Sequence, residues 1–440
     1  MTTRDDRDDR DAPSARPMAP DEAAYDRVRA VQWLRGEAHA PGLSRRTMLR
    51  LAGIAGVGAG LAGTGLGAAA RAMADDTPGI VKPLPPEIFT VHGTNAETNF
   101  AALRGVGFHV PASHFFVRNH TSTAVIDEAT WRLRLHGDGL HGSPTLERPV
   151  TFDYDQLRAM PSRTISAFVE CAGNGRSFYT TQQGQEVPGT PWRTGGIGQA
   201  VWRGVPLRTV LRYAGLRPDA VDVMPRGLDG EFNSGGVNHG HVRRPLPIRK
   251  ALDDVLLAYE MNGRPLPPDH GFPVRVVVPS WVGISSIKWV GDIEVSARPL
   301  FSPWNTDFYR LFGPSWPGGA SAPLTEQVVK SAFELPWQAS LPAGAHTRLH
   351  GRSWSGTGRV AKVEVSTDGG EVWRRARITD DPRDNGWVRW HLDWRPRQAG
   401  PVVLKARTTD HTGATQPETS PFNREGYLFG AVVAHPVTVT

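Results

Sequence analysis

One cysteine, Cys171, occurs in 440 residues. A lone thiol excludes an internal disulfide framework, and it excludes zinc or iron–sulfur sites that need several thiolates. Covalent haem attachment, which needs C-x-x-C-H, is excluded as well. Blocks of one charge are also missing: 50 Lys+Arg stand against 44 Asp+Glu, with the arginines scattered among acids. A nucleic-acid partner is therefore not expected. Beyond residue 74 no apolar run is long enough to cross a bilayer. What remains is 39% hydrophobic and 21% charged, the balance of a globular chain long enough for two domains.

The first 74 residues read as a targeting segment and N-terminal extension. A polar stretch ends in LSRRTMLRLAG (43–53) with twin arginines Arg45 and Arg46, and a Gly/Ala/Leu run continues to Ala70. Small-x-small sites follow at Ala70-Arg71-Ala72 and Ala72-Met73-Ala74. The pattern resembles a twin-arginine export signal, which implies a periplasmic or otherwise exported protein that folds before transport, often around a cofactor. A membrane anchor is the competing reading, the run being near the lower length limit for a span. Within it Gly58-x-Gly60-x-x-Gly63 spells a dinucleotide fingerprint, but no strand of a βαβ unit precedes it.

Residues 75–112 are punctuated by Pro and Gly and read as an extended lead-in. From 113 to 316, β-rich runs such as TWRLRLHG (130–137), TISAFVE (164–170) and VRVVVPSWVG (274–283) alternate with brief helical patterns such as LRTVLRYAG (207–215), which predicts an α+β domain. The stretch FGPSWPGGASAPL (312–324) breaks the pattern and marks a junction. Over 317–440 short alternating strands, one pair joined by the Asp368-Gly-Gly turn, predict an all-β sandwich of immunoglobulin type without its disulfide.

Cys171 sits in ISAFVECAGNGRSF (165–178), at the end of a predicted strand. It could be a buried structural thiol, a nucleophile, or a metal ligand. No histidine adjoins it to activate a nucleophile. A single thiolate cannot close a structural metal site, but it can hold a metal whose other ligands come from a cofactor. Ala172, Gly173, Asn174 and Gly175 have little bulk, so a large group can approach the backbone, and Arg176 adds a fixed cation. The neighbourhood favours the metal-ligand reading.

The segments ECAGNGRS, GTPWRTGGIGQAVWRGVPL (189–207), AYEMNGRPLPPDHGFPVRVVVP (258–279) and IKWVGDIEV (287–295), in that order, closely resemble the sulfite oxidase family of molybdenum enzymes, from about residue 85 to the C-terminus. The resemblance implies a molybdopterin-binding domain followed by an immunoglobulin-like dimerisation domain. It implies Cys171 as the protein's sole ligand to molybdenum, the rest coming from oxo groups and one molybdopterin. In FFVRNH (115–120) it gives Arg118 to the substrate pocket and His120 to the cofactor, and it places His270, Arg275 and Lys288 on the pterin and its phosphate. Arg176 matches a second anion-pocket arginine, Tyr309 in SPWNTDFYR (302–310) matches the active-site tyrosine, and Trp192 is expected to wall the same pocket.

Sulfite is a small dianion, and guanidinium groups beside the metal suit it. One departure bears on this substrate. Animal members carry a further pocket arginine in an N-x-R-G setting, whereas this chain reads Asn423-Arg424-Glu425-Gly426; a carboxylate there repels a dianion unless Arg424 substitutes. His239-Gly-His241 could suggest a metal, but with no acidic or thiol partner in sequence it reads as a polar loop. The expected reaction is oxidation of sulfite to sulfate, the oxygen coming from water and the electrons passing to an external c-type cytochrome or haem subunit, in a homodimer or heteromeric complex. The alternatives are a sulfane dehydrogenase subunit acting on protein-bound persulfide, a reductase for nitrate or sulfoxides, and a catalytically silent exported binding protein.

Overall fold

The computed structural model describes residues 79–316 and 319–440. The twin arginines, the Gly58–Gly63 pattern and the small-x-small sites lie outside the described residues. No helix among the described residues is long and apolar enough to cross a membrane.

Two five-stranded sheets organise the N-terminal half. One runs in the order Leu246–Pro247, Asp222–Gly227, Val290–Ser296, Arg132–His136, Val150–Asp153, with the contact between Val290–Ser296 and Arg132–His136 parallel. The other runs Arg264–Pro265, Leu256–Met261, Ile197–Pro206, Arg163–Glu170, with Arg275–Val277 paired to Leu256–Met261. Short helices cross between strands. Leu207–Tyr213 buries Leu207, Val210 and Leu211, the i, i+3, i+4 stripe of an amphipathic helix. Tyr154–Ala159 starts at a capping box made by Asp153 and Gln156. Leu133, Leu257, Val276 and Ile293 are among the side chains that close the core between these elements, each contributing about 1.5–3 kcal/mol of apolar burial.

The C-terminal half is a sandwich. A four-stranded sheet (Lys330–Phe333, Thr347–Trp354, Val388–Trp394, Arg377–Ile378) faces a five-stranded one (Ala339–Leu341, His435–Val439, Gly400–Asp410, Val360–Ser366, Arg374–Arg375). Leu404, Ala406, Thr408 and Asp410 point inward along Gly400–Asp410 while the residues between them are only partly buried, the alternation of a half-buried strand. Gly369 and Gly370 have φ of 79° and 110°, the left-handed backbone that the Asp368-Gly-Gly turn requires.

The lead-in differs from its expected extended form. Phe89–His92 and Asn95–Thr98 make an antiparallel hairpin, followed by a 3-10 turn at Phe100–Leu103. The end of that turn and the segment after it are held from far along the chain: fully buried Arg352 donates to the carbonyls of Leu103, Val106 and Gly107 while paired at 2.5 Å with Glu334. The predicted run 274–283 is a strand only over Arg275–Val277. At the junction, Arg310–Phe312 pairs with Ala320–Pro323.

Candidate active site

Strand Arg163–Glu170 pairs along its length with Ile197–Pro206, down to Glu170 opposite Ile197, and the chain turns at the next residue. Cys171 donates its amide to Gly196 O at 2.9 Å, and its own carbonyl accepts from Asn174 N at 2.9 Å. Gly173 N donates to Cys171 Sγ at 3.4 Å. Glycine is required in the turn: a Cβ on Gly173 would lie 2.8 Å from the Arg176 guanidinium carbon, and Gly175 has φ 93° with Phe429 3.0 Å from where its Cβ would be.

The Cys171 side chain, 8% exposed, lines a cleft together with Arg118, His120, His270, Arg275, Lys288 and Tyr309. Residues dispersed over some two hundred positions thus share one cavity. Arg118 Nη2 donates to the Tyr309 hydroxyl at 3.3 Å. Arg118 Nη1 is buried with no hydrogen-bond partner among the described residues. His120 Nε2 accepts from Trp304 Nε1 at 3.1 Å and lies 3.4 Å from the Tyr309 hydroxyl; an accepting Nε2 assigns the ring proton to Nδ1. Tyr309 takes φ 54°, a strained backbone for a bulky residue. It is held by Leu324 N donating to its carbonyl at 2.8 Å and by Tyr427 stacked on its ring at 5.0 Å and 15°.

The rest of the cleft is a buried cationic wall. Arg275 donates to the carbonyls of His270 and Ser286, both at 3.1 Å. Lys288 Nζ donates to Asp269 O at 2.8 Å and to Asn119 Oδ1. Burial, with Arg275 nearby, pulls Lys288 well below the usual lysine range against the pull of Asp269 and Asp229. Burial also brings Arg275 down to about 9 and Lys82, beside the wall, to about 7. His120 and His270 are held well below the ordinary histidine range by burial and then by these cations, Arg118 and Lys288 for His120, Lys82 and Lys288 for His270. Burial works the same way on Arg118, but Tyr309 and Cys171 beside it outweigh that and hold its guanidinium up. Such a wall repels itself, and it fits an anionic occupant that brings hydrogen-bond acceptors.

Two expected pocket residues lie elsewhere. Trp192 does not line the cleft; it is 1% exposed and packs against Phe116 and His92 with ring centroids 6.2 and 6.0 Å apart, which corrects its placement from pocket wall to core. Its large ring fills the space beneath the glycine-rich segment 195–198, whose Gly196 leaves room for it. Arg176 also stays behind the wall. Its guanidinium packs on Gly173 and donates to the carbonyls of Glu425 and Thr190 at 3.0 and 3.2 Å, with its carbon 5.2 Å from the Tyr427 ring centre. Arg424 does not reach the cleft either; it is exposed and lies over Phe312 at 5.8 Å. His239 and His241 belong to a hairpin loop, His239 against Phe232 and Phe308 and His241 on Asp229 O. No cluster of three or more His, Cys, Asp and Glu side chains placed to hold a metal ion occurs among the described residues.

Sequence reasoning assigned no role to Asn119, Asp229, Trp304 or Tyr427. Asp229 lines the cleft with one buried oxygen unpaired, and burial raises its carboxyl to about 6. Trp304 and Tyr427 act on His120 and Tyr309 from 184 and more than a hundred residues away; Trp304 lies inside the segment 302–310 that carries Tyr309, and Tyr427 directly follows Gly426.

Comparison with known proteins agrees with this geometry. Residues 120–304 match the oxidoreductase molybdopterin binding domain and residues 324–434 the Mo-co oxidoreductase dimerisation domain. The sulfite oxidase of Gallus gallus is 36% identical over 338 residues, covering 72% of this chain and 70% of the chicken protein. Mitochondrial sulfite oxidase of Mus musculus is 35% identical over 329 residues, 71% of this chain, which spans only 58% of the mouse protein's length. The crystal structure of the sulfane dehydrogenase SoxCD from Paracoccus pantotrophus superposes with a TM-score of 0.65 at 27% identity, over 84% of this chain and 92% of that one. The chain belongs to the sulfite oxidase family of molybdopterin oxidoreductases.

Proposed function

We propose that this chain is a molybdenum enzyme that oxidises sulfite to sulfate, consuming one water and releasing two protons and two electrons. The observation that carries the reading is the convergence of Cys171, the unpaired Arg118 Nη1 and the Tyr309 hydroxyl in one cation-walled cleft. The wall fits a molybdopterin: His270, Arg275 and Lys288 would hold its phosphate and pterin, Asp229 and Asn119 would accept from pterin N–H groups, and Cys171 would give the single protein thiolate. Bound there, the cofactor would supply two-electron oxygen-atom transfer to sulfur.

The chain's own residues have distinct tasks. Arg118 presents Nη1 to an oxyanion while Nη2 orients the Tyr309 phenol, so substrate charge and phenol position are set by one side chain. His120, kept neutral, serves as acceptor for the Trp304 N–H and lies within reach of the phenol proton. We further propose His120 as a cofactor contact, export of the protein by the twin-arginine route, a dimer built through the C-terminal domain, and a c-type cytochrome or haem subunit as electron acceptor. Steady-state oxidation of sulfite with ferricyanide or cytochrome c, together with molybdenum content, tests the reading. Fully metallated protein with no sulfite turnover would overturn it, and folded protein that never acquires molybdenum would favour a silent binding role.

A second reading has its own support. The position matching the family's additional arginine carries Glu425, Arg424 faces solvent, and Arg176 donates to two carbonyls. Arg118 is then the pocket guanidinium with an unspent donor, a setting better matched to a sulfur substrate of lower charge, such as a protein-bound persulfide. The fold shared with a sulfane dehydrogenase supports the same direction. Turnover of a persulfidated carrier protein by metallated enzyme that ignores free sulfite would establish it.

A further inference from the structure

We propose that Lys330, from the C-terminal half, is a positioning residue for the Cys171 thiolate; the inference rests on the metal-ligand reading of Cys171. Glu170, immediately before the cysteine, is 0% exposed, and Lys330 is 5% exposed. Lys330 Nζ donates to Glu170 Oε1 at 2.7 Å and to Asn174 O at 2.8 Å, so one ammonium grips the chain on both sides of Cys171. Two further groups from the same half hold Glu170: Trp354 Nε1 donates to Oε2 at 2.9 Å and Gln327 Nε2 to the backbone carbonyl at 2.7 Å. Asn174 Nδ2 completes the set by donating to Glu170 Oε1 at 2.8 Å, while its Oδ1 accepts from Gly196 N at 2.9 Å.

A buried ion pair gains little net stability, because desolvation offsets its attraction. Its placement here answers a geometric need. The turn after Cys171 is built from Ala172, Gly173, Asn174 and Gly175 and gives Sγ only the Gly173 amide at 3.4 Å, so most of the constraint has to come from outside. Hydrogen bonds beyond a metal ligand orient that ligand and tune the metal. The C-terminal half thereby sets the angle at which the thiolate meets the cofactor, a task separate from joining subunits.

The test compares holoenzymes. Lys330→Met alone leaves Glu170 buried without its counter-charge, so the charge-neutral pair Glu170→Gln with Lys330→Met is made instead. The double variant is expected to keep full molybdenum content, to shift the thiolate-to-metal absorption of the oxidised enzyme, and to lose about tenfold in kcat with KM held within about twofold. Wild-type absorption and kcat in the metallated double variant would overturn the proposal. Should that protein not fold, Trp354→Phe removes one bond to Glu170 and keeps an aromatic ring in the core; a smaller shift in the same direction supports the assignment, and an unchanged spectrum overturns it. Wild-type protein without molybdenum, or without such a band, would sink the metal-ligand reading itself before any variant is compared.

Discussion

At the scale of single residues, the proposed chemistry rests on a sulfur, a guanidinium and a phenol. Cys171→Ser changes one atom in a buried turn whose backbone bonds do not involve Sγ beyond Gly173 N. Far-UV circular dichroism should therefore match the wild type while sulfite turnover is abolished; retained turnover would contradict the ligand role. Arg118→Lys keeps a cation but loses the fork that serves Tyr309 and an oxyanion together. An increase in KM for sulfite of roughly tenfold, worth about 1.4 kcal/mol, is expected in initial-rate assays. Cys171, Arg118, His120 and Tyr309 were legible because they sit in contiguous motifs. The parts of Trp304 and Tyr427 were not, although Trp304 shares a motif with Tyr309, since their work depends on an N–H or a ring meeting a distant segment. For Trp192, the segment T-P-W fits both a pocket wall and core packing, because it does not tell which side of a sheet the indole takes.

At the scale of elements, the strand that ends at Glu170 and the helix Leu207–Tyr213 follow from β-branched runs and amphipathic spacing. The shape of the lead-in could not be read, because its partners come from elsewhere in the chain: Val117 bridges Ala96 of the hairpin, and buried Arg352 donates to the carbonyls of Leu103 and Val106 beyond it. The cationic wall makes a prediction at this scale. Lys82 has a folded pKa of about 7, depressed by burial from 10.5. Below about pH 7 it is charged in both states and the cost of burying that charge is fully felt. Between about 7 and 10.5 the unfolded chain keeps a proton that the folded chain has released, so stability rises with pH; Arg275, lowered to about 9, extends the trend upward. Calorimetry of the cofactor-free protein should show a thermal midpoint rising from pH 7 to 9.

For the molecule as a whole, the two halves are joined by buried charge. Arg352, fully buried, satisfies Glu334 and three carbonyls of the lead-in, with Trp387 under its guanidinium at 4.4 Å. Arg352→Ala strands a buried carboxylate and those carbonyls, and a loss of about 3–5 kcal/mol is expected in urea unfolding. A loss within 1 kcal/mol would mean that water replaces the guanidinium at no cost.

Asp269 fastens the amides of Val81 and Lys82 at 2.9 and 2.8 Å, while the next residue, His270, forms part of the cleft. Among the described residues, the first amides held by a side chain are therefore clasped by the loop that shapes the cavity. A chain with that loop unformed presents a loose tether there, and protease susceptibility around position 80 becomes a gauge of whether the interior has been assembled.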